Sequence, residues 1–268
     1  MRAILDPLTF RERGAEEAEL TAFFEHLRAG LPPAADAAGG SPGEIQVCLA
    51  QRAEAIHAAF GGFYRERREE LERSSLAAGH AYGILHGHTR LVDALHRFAF
   101  EFALEDLLPL LKMRCSEWAT ELTFTRTQLE QKVRQMAEFA TQTAAADVEP
   151  GDTPSQRAYY RDIEAGLGQE HAALEVRIAA LEAKLSAGRT FRLDRRSVER
   201  RLAAFARGGY GRAELGFASD LDTGYCIDGR GLAPGESEPL RELILRMRRC
   251  SGAPAWRRCT STSRSARI

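Results

Sequence analysis

Paired cysteines, long apolar runs and a surplus of either charge are all missing from this chain. Its five cysteines, Cys48, Cys115, Cys226, Cys250 and Cys259, are odd in number and far apart. No CxxC pair occurs, which excludes a zinc-ribbon framework and favours free thiols in a reducing compartment. No apolar run approaches the roughly 18 residues needed to cross a bilayer. The N-terminus also lacks a basic segment followed by an apolar stretch, so a soluble, cytoplasmic protein with no membrane partner is expected. The 37 Lys and Arg against 38 Asp and Glu leave a net charge of −1. With no global field to draw it to nucleic acid, nucleic acid is not an expected partner and any anion site must be local.

What is present is helical periodicity over most of the length. Leu20, Phe23, Phe24 and Leu27 recur at helical spacing and stop before Pro32-Pro33, which predicts a short amphipathic first helix. Ser41-Pro42-Gly43-Glu44 reads as an N-cap, a helix-starting proline and a first-turn carboxylate. Ile45, Leu49, Ile56, Phe60 and Phe63 continue that helix, and the mixed-charge run Arg65–Arg73 reads as its solvated face. Apolar spacing resumes after Gly79 through Ile84, Leu85, Leu91, Leu95, Phe98, Phe102, Leu107 and Leu108. A further helix is expected from Leu110 to about Ala145, with Trp118, Leu122, Leu129, Val133, Met136 and Phe139 near one face, until turn chemistry over Asp147–Pro154 breaks it. Leu167, Leu174, Ile178, Leu181 and Leu185 then follow the a/d rhythm of a helix hairpin or short coiled coil that should end at Gly188.

Near Arg189 the character changes. Leu202–Ala206 and Thr223–Ile227 are short apolar runs bracketed by glycines and read as strands. Between them stands Arg207-Gly208-Gly209-Tyr210-Gly211-Arg212-Ala213-Glu214-Leu215-Gly216-Phe217-Ala218-Ser219-Asp220-Leu221-Asp222. Glycines at a strand end let backbone N–H groups approach phosphate oxygens where a Cβ would obstruct them. Asp220 and Asp222, two apart on a strand, project from one face and can share divalent cations. Two such ions can stabilise both the entering and the leaving oxygen of a phosphoryl or nucleotidyl transfer. Arg212 can meet phosphate charge through its planar fork, and Ser219 can orient phosphate or cap the turn.

In order and at this spacing, these residues resemble the nucleotidyltransferase fold of the DNA polymerase β superfamily. The branch they are most similar to contains the bacterial uridylyltransferase that modifies the nitrogen-signalling PII protein. That branch shows Gly-Gly-Tyr-Gly-Arg-Gly-Glu-Leu and then Ser-Asp-x-Asp; here Ala213 replaces one glycine and Phe217 stands where proline is usual. A fainter likeness lies in Thr89-Arg90-Leu91-Val92-Asp93-Ala94-Leu95, which looks like a helical segment preceding the motif in the same branch. The resemblance implies nucleotide-phosphate contacts at Gly208 and Gly209, with Arg212 and Ser219 as weaker contacts, and Mg2+ or Mn2+ held by Asp220 and Asp222. It implies a nucleoside triphosphate as donor, and a PII-like protein or another molecule as acceptor. It also implies a third carboxylate on a later strand, whereas no Asp follows Asp228 and the last acids are Glu236, Glu238 and Glu242. Glu236 and Glu238 are expected in a loop and Glu242 at the start of a helix Leu240–Met247, so turnover is expected to be low or absent.

After Met247 the chain has no acid and no period, and its Arg, Ser, Cys and Pro content fits an out-of-frame reading of a GC-rich gene. The competing reading is a disordered basic end. Sequencing across codons 245–268 separates the two. Other candidates carry less. His80, His86, His88 and His96 cluster around a loop-like His86-Gly87-His88, but with only Asp93 beside them they are assigned structural or solvated roles. Cys226 shares the Asp220 and Asp222 face by alternation and is expected as core packing, and Asp228 on the same register is a remote ligand candidate.

The expected architecture is α+β: a long mainly α-helical region over 1–190, a truncated nucleotidyltransferase α/β domain with a small mixed sheet over 191–247, and an irregular basic tail over 248–268. The expected activity is transfer of a nucleoside monophosphate from a nucleoside triphosphate. A helical regulatory or interaction module with a vestigial motif is the alternative.

Overall fold

The computed structural model describes residues 10–34, 40–78, 81–146, 154–206, 211–213, 216 and 223–251. In chain order the elements are α1 (Phe10–Gly30), α2 (Pro42–Ala78), α3 (Ala81–Ala146), α4 (Pro154–Thr190), α5 (Arg195–Arg201), β1 (Leu202–Ala206), β2 (Thr223–Ile227) and α6 (Glu238–Ser251). Among the described residues the chain is mostly helical with one two-stranded antiparallel sheet, an α+β composition. It divides into two compact units. One takes the described residues of Met1–Met113, Arg192–Arg230 and Pro239–Ile268, and the other takes those of Arg114–Phe191 and Gly231–Glu238. One break of this division falls between Phe191 and Arg192, beside the change of composition near Arg189, and the residues that follow it group with the first helices.

The first unit is built on an aromatic core. Phe23 stacks on Phe63 at 4.0 Å and Phe24 on Phe98 at 4.6 Å, with Ile56, Phe60, Val92, Leu95 and Phe102 buried around them. Cys250 of α6 joins this cluster, and Ala206 at the end of β1 packs against it. Burial of each large side chain contributes roughly 1.5–3 kcal/mol, so this cluster anchors both the helices and the end of β1. Leu108, expected in the same core, is instead half exposed.

Local signals explain where α2 starts. Ser41 N–H donates to Glu44 Oε2 at 2.7 Å, and Glu44 N–H donates to Ser41 Oγ at 3.4 Å, a reciprocal capping box. The same contacts hold the Glu44 carboxyl below the usual carboxylate range. The Arg65–Arg73 run lies on α2 and is laced by Arg67–Glu70 and Arg68–Glu72 pairs, as a solvated face should be.

The structure corrects the reading of His86-Gly87-His88 as a loop. All three lie inside α3, and a Cβ on Gly87 would stand 2.9 Å from Leu71 Cδ2, so the glycine is there to let α2 approach. His88 is buried and hydrogen-bonded to the Tyr64 hydroxyl at 2.7 Å, a structural role. His80 lies outside the described residues.

The second unit is a helix hairpin. The seam runs from Gly188 against Cys115, through Trp118 and Leu122 with Leu181 and Leu185, to Phe139 near Tyr160, so the two helices are antiparallel. Exposed pairs Arg126–Glu182, Lys132–Glu170 and Arg177–Glu121 flank it. Val133 does not belong to the seam and is 49% exposed, since it sits one residue past the inward-facing phase. Gly188 does not end its helix, which runs to Thr190. A Cβ there would fall 2.6 Å from Cys115 Sγ and 3.1 Å from the Trp118 ring, so close helix approach is what requires glycine.

Candidate functional site

Strands β1 and β2 have the bounds expected from sequence and pair antiparallel, with Leu202 opposite Ile227, Ala204 opposite Tyr225, Phe205 opposite Gly224 and Ala206 opposite Thr223. Ala206 and Thr223 are the residues that immediately flank the motif 207–222, so the sheet brings the two ends of that segment together. Gly208, Gly209, Ser219, Asp220 and Asp222 themselves lie outside the described residues. Arg212 is described: it is exposed, in the turn after Gly211.

Two motif residues within the described set, Gly211 and Ala213, sit where the backbone favours glycine. A Cβ on Gly211 would stand 2.7 Å from the Ala206 carbonyl oxygen, so the chain folds back on the end of β1 where only glycine fits. Ala213 has φ of 58°, the left-handed region that favours glycine. This is the position at which the resembling branch carries glycine. The backbone therefore takes the glycine conformation although the residue is alanine, at a cost of roughly 1–2 kcal/mol.

The far end of the hairpin is locked by charge. Asp228 N–H donates to the Arg201 carbonyl at 2.7 Å, and Arg201 Nη1 donates to the carbonyls of Asp228 and Arg230. The Asp228 carboxylate accepts from Arg230 Nε and Nη2, both at 2.9 Å, and from the Arg230 N–H, which brings it down to about 2. Its carboxylate is thus engaged locally by Arg230. Burial pushes the Tyr225 phenol up, with the Arg248 guanidinium 5.4 Å from the ring centroid opposing the shift. Cys226, expected in the core, is exposed. Glu238 is the first residue of α6, and Glu242 is buried within it. The helix also continues past Met247 through Arg248 to Ser251, with Cys250 and Ser251 buried, so the expected irregular tail begins no earlier than residue 252.

The strongest charge constellation of the first unit was not anticipated. Asp106, fully buried, accepts from Arg52 Nε through one oxygen and from Arg246 Nε through the other, each at 2.7 Å. Arg246 Nη2 also donates to the Leu49 carbonyl at 2.8 Å, and Arg52 donates to the Pro32 carbonyl and to Glu105. Arg28 pairs with Glu105 at 2.9 Å. Desolvation dominates at Glu105 and raises it despite both arginines. The signal was in the sequence: Arg52 is in phase with Ile45, Leu49 and Ile56, and Arg246 with Leu243 and Cys250, so each is a charge at a core position. The network ties α6 to α2 and α3, and its role is structural.

Among the described residues, no group of three or more His, Cys, Asp and Glu could hold a metal ion. The carboxylate pair expected to do so lies outside that set, and two carboxylates are a donor set suited to a hard divalent cation. No described helix is long and apolar enough to cross a membrane. Comparison with known proteins gives no match to a family model, to a curated protein or to a solved structure.

Proposed function

We propose that the chain is a metal-dependent nucleotidyltransferase, uridylyltransferase-like in its motif, that binds a nucleoside triphosphate and transfers its nucleoside monophosphate to an acceptor hydroxyl. The observation that carries this reading is the motif 207–222 set between two paired strands, with Ala206 opposite Thr223 at its base. Gly208 and Gly209 are the phosphate cradle, supported by Arg212 and Ser219, and Asp220 and Asp222 are the ligands of Mg2+ or Mn2+. The metal supplies charge neutralisation at the phosphate oxygens. A PII-like protein is one acceptor of suitable chemistry.

Calorimetric titration of the full chain with nucleoside triphosphate tests the proposal. Magnesium-dependent binding is expected, lost in Asp220→Ala/Asp222→Ala. Binding that survives the double substitution, or that ignores magnesium, refutes it. The second unit favours a second reading, an interaction or regulatory module, since its hairpin is a long helical surface with Phe124, Tyr159 and Val176 exposed. That reading gains if the full-frame protein binds no nucleotide.

A further inference from the structure

We infer, independently of the nucleotide reading, that the outer edge of β1 takes an extended peptide segment as an added strand, and that this segment carries carboxylates at its C-terminal end. The direction of each backbone group on β1 follows from one bond. Asp228 N–H donates to the Arg201 carbonyl at 2.7 Å, and in an antiparallel ladder such bonded positions alternate along the strand. Ala203 and Phe205 therefore turn their N–H and C=O groups toward β2, while Leu202, Ala204 and Ala206 turn theirs outward. Among the described residues no further strand pairs there.

The two ends of this outward row are engaged within the chain. The Leu202 N–H donates to the Val198 carbonyl as the cap of α5, and the Gly211 backbone comes up against the Ala206 carbonyl. Between them, the N–H and C=O of Ala204 have no partner among the described residues. The strand is bare on its faces too: Ala203 and Ala204 are exposed, and the Phe205 ring over Gly224 is 48% exposed. Sheet edges are usually guarded against added strands by a charge, a proline or a bulge. Leu202–Ala206 holds no charged residue and no proline, and its register with β2 runs without a break. Such an edge is a template for strand addition, in which backbone hydrogen bonds supply affinity and alternate side chains supply fit.

Charge decides which strand fits. Helix α5 passes into β1 with no residue between them, and it carries Arg195, Arg196, Arg200 and Arg201 against a single carboxylate, Glu199. That carboxylate is engaged by Arg195 at 2.7 Å, and the Asp194 carboxylate ahead of the helix is engaged as its cap. Arg196 and Arg200 stand two residues either side of buried Val198, on the helix face turned away from the core, and both are exposed. At 1.5 Å per residue the helix is roughly 10 Å long, about one Debye length at 0.1 M salt, so all four arginines act on a chain passing the start of β1. A strand added antiparallel, the more stable pairing, leaves the edge past Leu202 with its C-terminal residues. Carboxylates at that end match the field they enter.

Fluorescence anisotropy of a labelled synthetic peptide, five alternating valine and threonine residues followed by three glutamates, tests this on the full chain. Saturable binding is expected, weaker at higher salt and weaker when the glutamates are moved to the N-terminal end. From the usual strength of exposed ion pairs, Arg196→Ala/Arg200→Ala should weaken the peptide about 2- to 30-fold. Ala204→Pro removes an outward N–H that bonds to none of the described residues, so it should abolish binding and leave the helical circular dichroism in place. N-methylation of the peptide along its valine and threonine part should abolish binding with the protein unchanged, and this arm decides alone if Ala204→Pro does not fold. No binding at millimolar peptide overturns the inference, as does binding that survives N-methylation or a folded Ala204→Pro. Equal affinity for the two glutamate placements, or no loss in the double arginine variant, overturns the assignment of carboxylates. A concentration-dependent dimer that excludes the peptide also overturns it, since a second copy would then be what occupies the edge.

Discussion

Replacing Asp106 with asparagine tests the buried charge network in the most direct way. Both carboxylate oxygens of Asp106 are in use, one by Arg52 and the other by Arg246, and all three side chains are at most 3% exposed. Asparagine keeps the shape but removes the negative charge and turns one acceptor into an N–H donor aimed at a guanidinium. Breaking a buried pair by removing one partner typically costs about 3–5 kcal/mol, because the remaining charge stays desolvated. Here two guanidinium groups lose their shared partner. Arg52 retains Glu105 and the Pro32 carbonyl, whereas Arg246 keeps only the Leu49 carbonyl among the contacts described above, so the loss should fall mainly on α6. A cost near 4 kcal/mol is a large part of the roughly 5–15 kcal/mol that holds most domains folded. With a urea slope of about 2 kcal/mol/M, the unfolding midpoint should fall by about 2 M. Arg246→Met should cost less, and the double variant should fall short of additivity by more than about 1 kcal/mol, since the two residues share one interaction. Circular dichroism in urea measures the midpoints, and hydrogen exchange should show α6 opening first. A midpoint shift below about 0.5 M, or additive single variants, would refute the assignment of Asp106 as the linchpin.

Ala213→Gly relieves the left-handed backbone at position 213; relief of roughly 1–2 kcal/mol is offset by about 0.4–1 kcal/mol of added freedom in the unfolded chain. A small net gain near 0.5 kcal/mol is expected, a rise of about 0.25 M in the urea midpoint, and a loss would contradict the backbone assignment. Alkylation of the native protein near pH 8 should label exposed Cys226 and spare Cys250, which burial in the aromatic core pushes up to about 11. Mass mapping of the modified peptides checks this, and early labelling of Cys250 would mean that α6 is not docked. The Asp228 carboxyl, held down by Arg230, should titrate near pH 2 by NMR. A carboxyl depressed in the folded state contributes stability that is present above its unfolded value of about 3.8 and lost as pH falls through about 2. Asp228→Asn should flatten the stability profile in that window and leave neutral pH little changed in its pH dependence.

Local chemistry made several elements legible in advance. The capping box at Ser41 and Glu44 involves residues three apart, so its geometry is fixed by the chain itself. The two strands were legible because apolar runs bounded by glycines have few alternatives, and the seam residues of the hairpin because an a/d rhythm survives any tertiary context. Two misreadings fell where a glycine was taken as punctuation. Gly87 and Gly188 look like breaks in sequence, but each sits inside a helix because a side chain from a neighbouring helix presses on it. No window along one helix contains that neighbour. Helix α5 was missed for a related reason: its seven residues, Arg195–Arg201, hold Val198 as their buried residue and so show no apolar period.

By itself the sequence determined the helical periods, the strand bounds and the order of glycines and carboxylates on which the proposed nucleotide chemistry rests. These depend on residues close together in the chain, where spacing alone decides which side chains share a face. Only the tertiary structure decided that Arg52, Asp106 and Arg246 meet, across separations of 54 and 140 residues, and that Phe205 faces outward while Ala206 faces in. A charge at a core position announces that it needs a partner. Which partner it finds depends on how distant helices pack, and no local spacing carries that information.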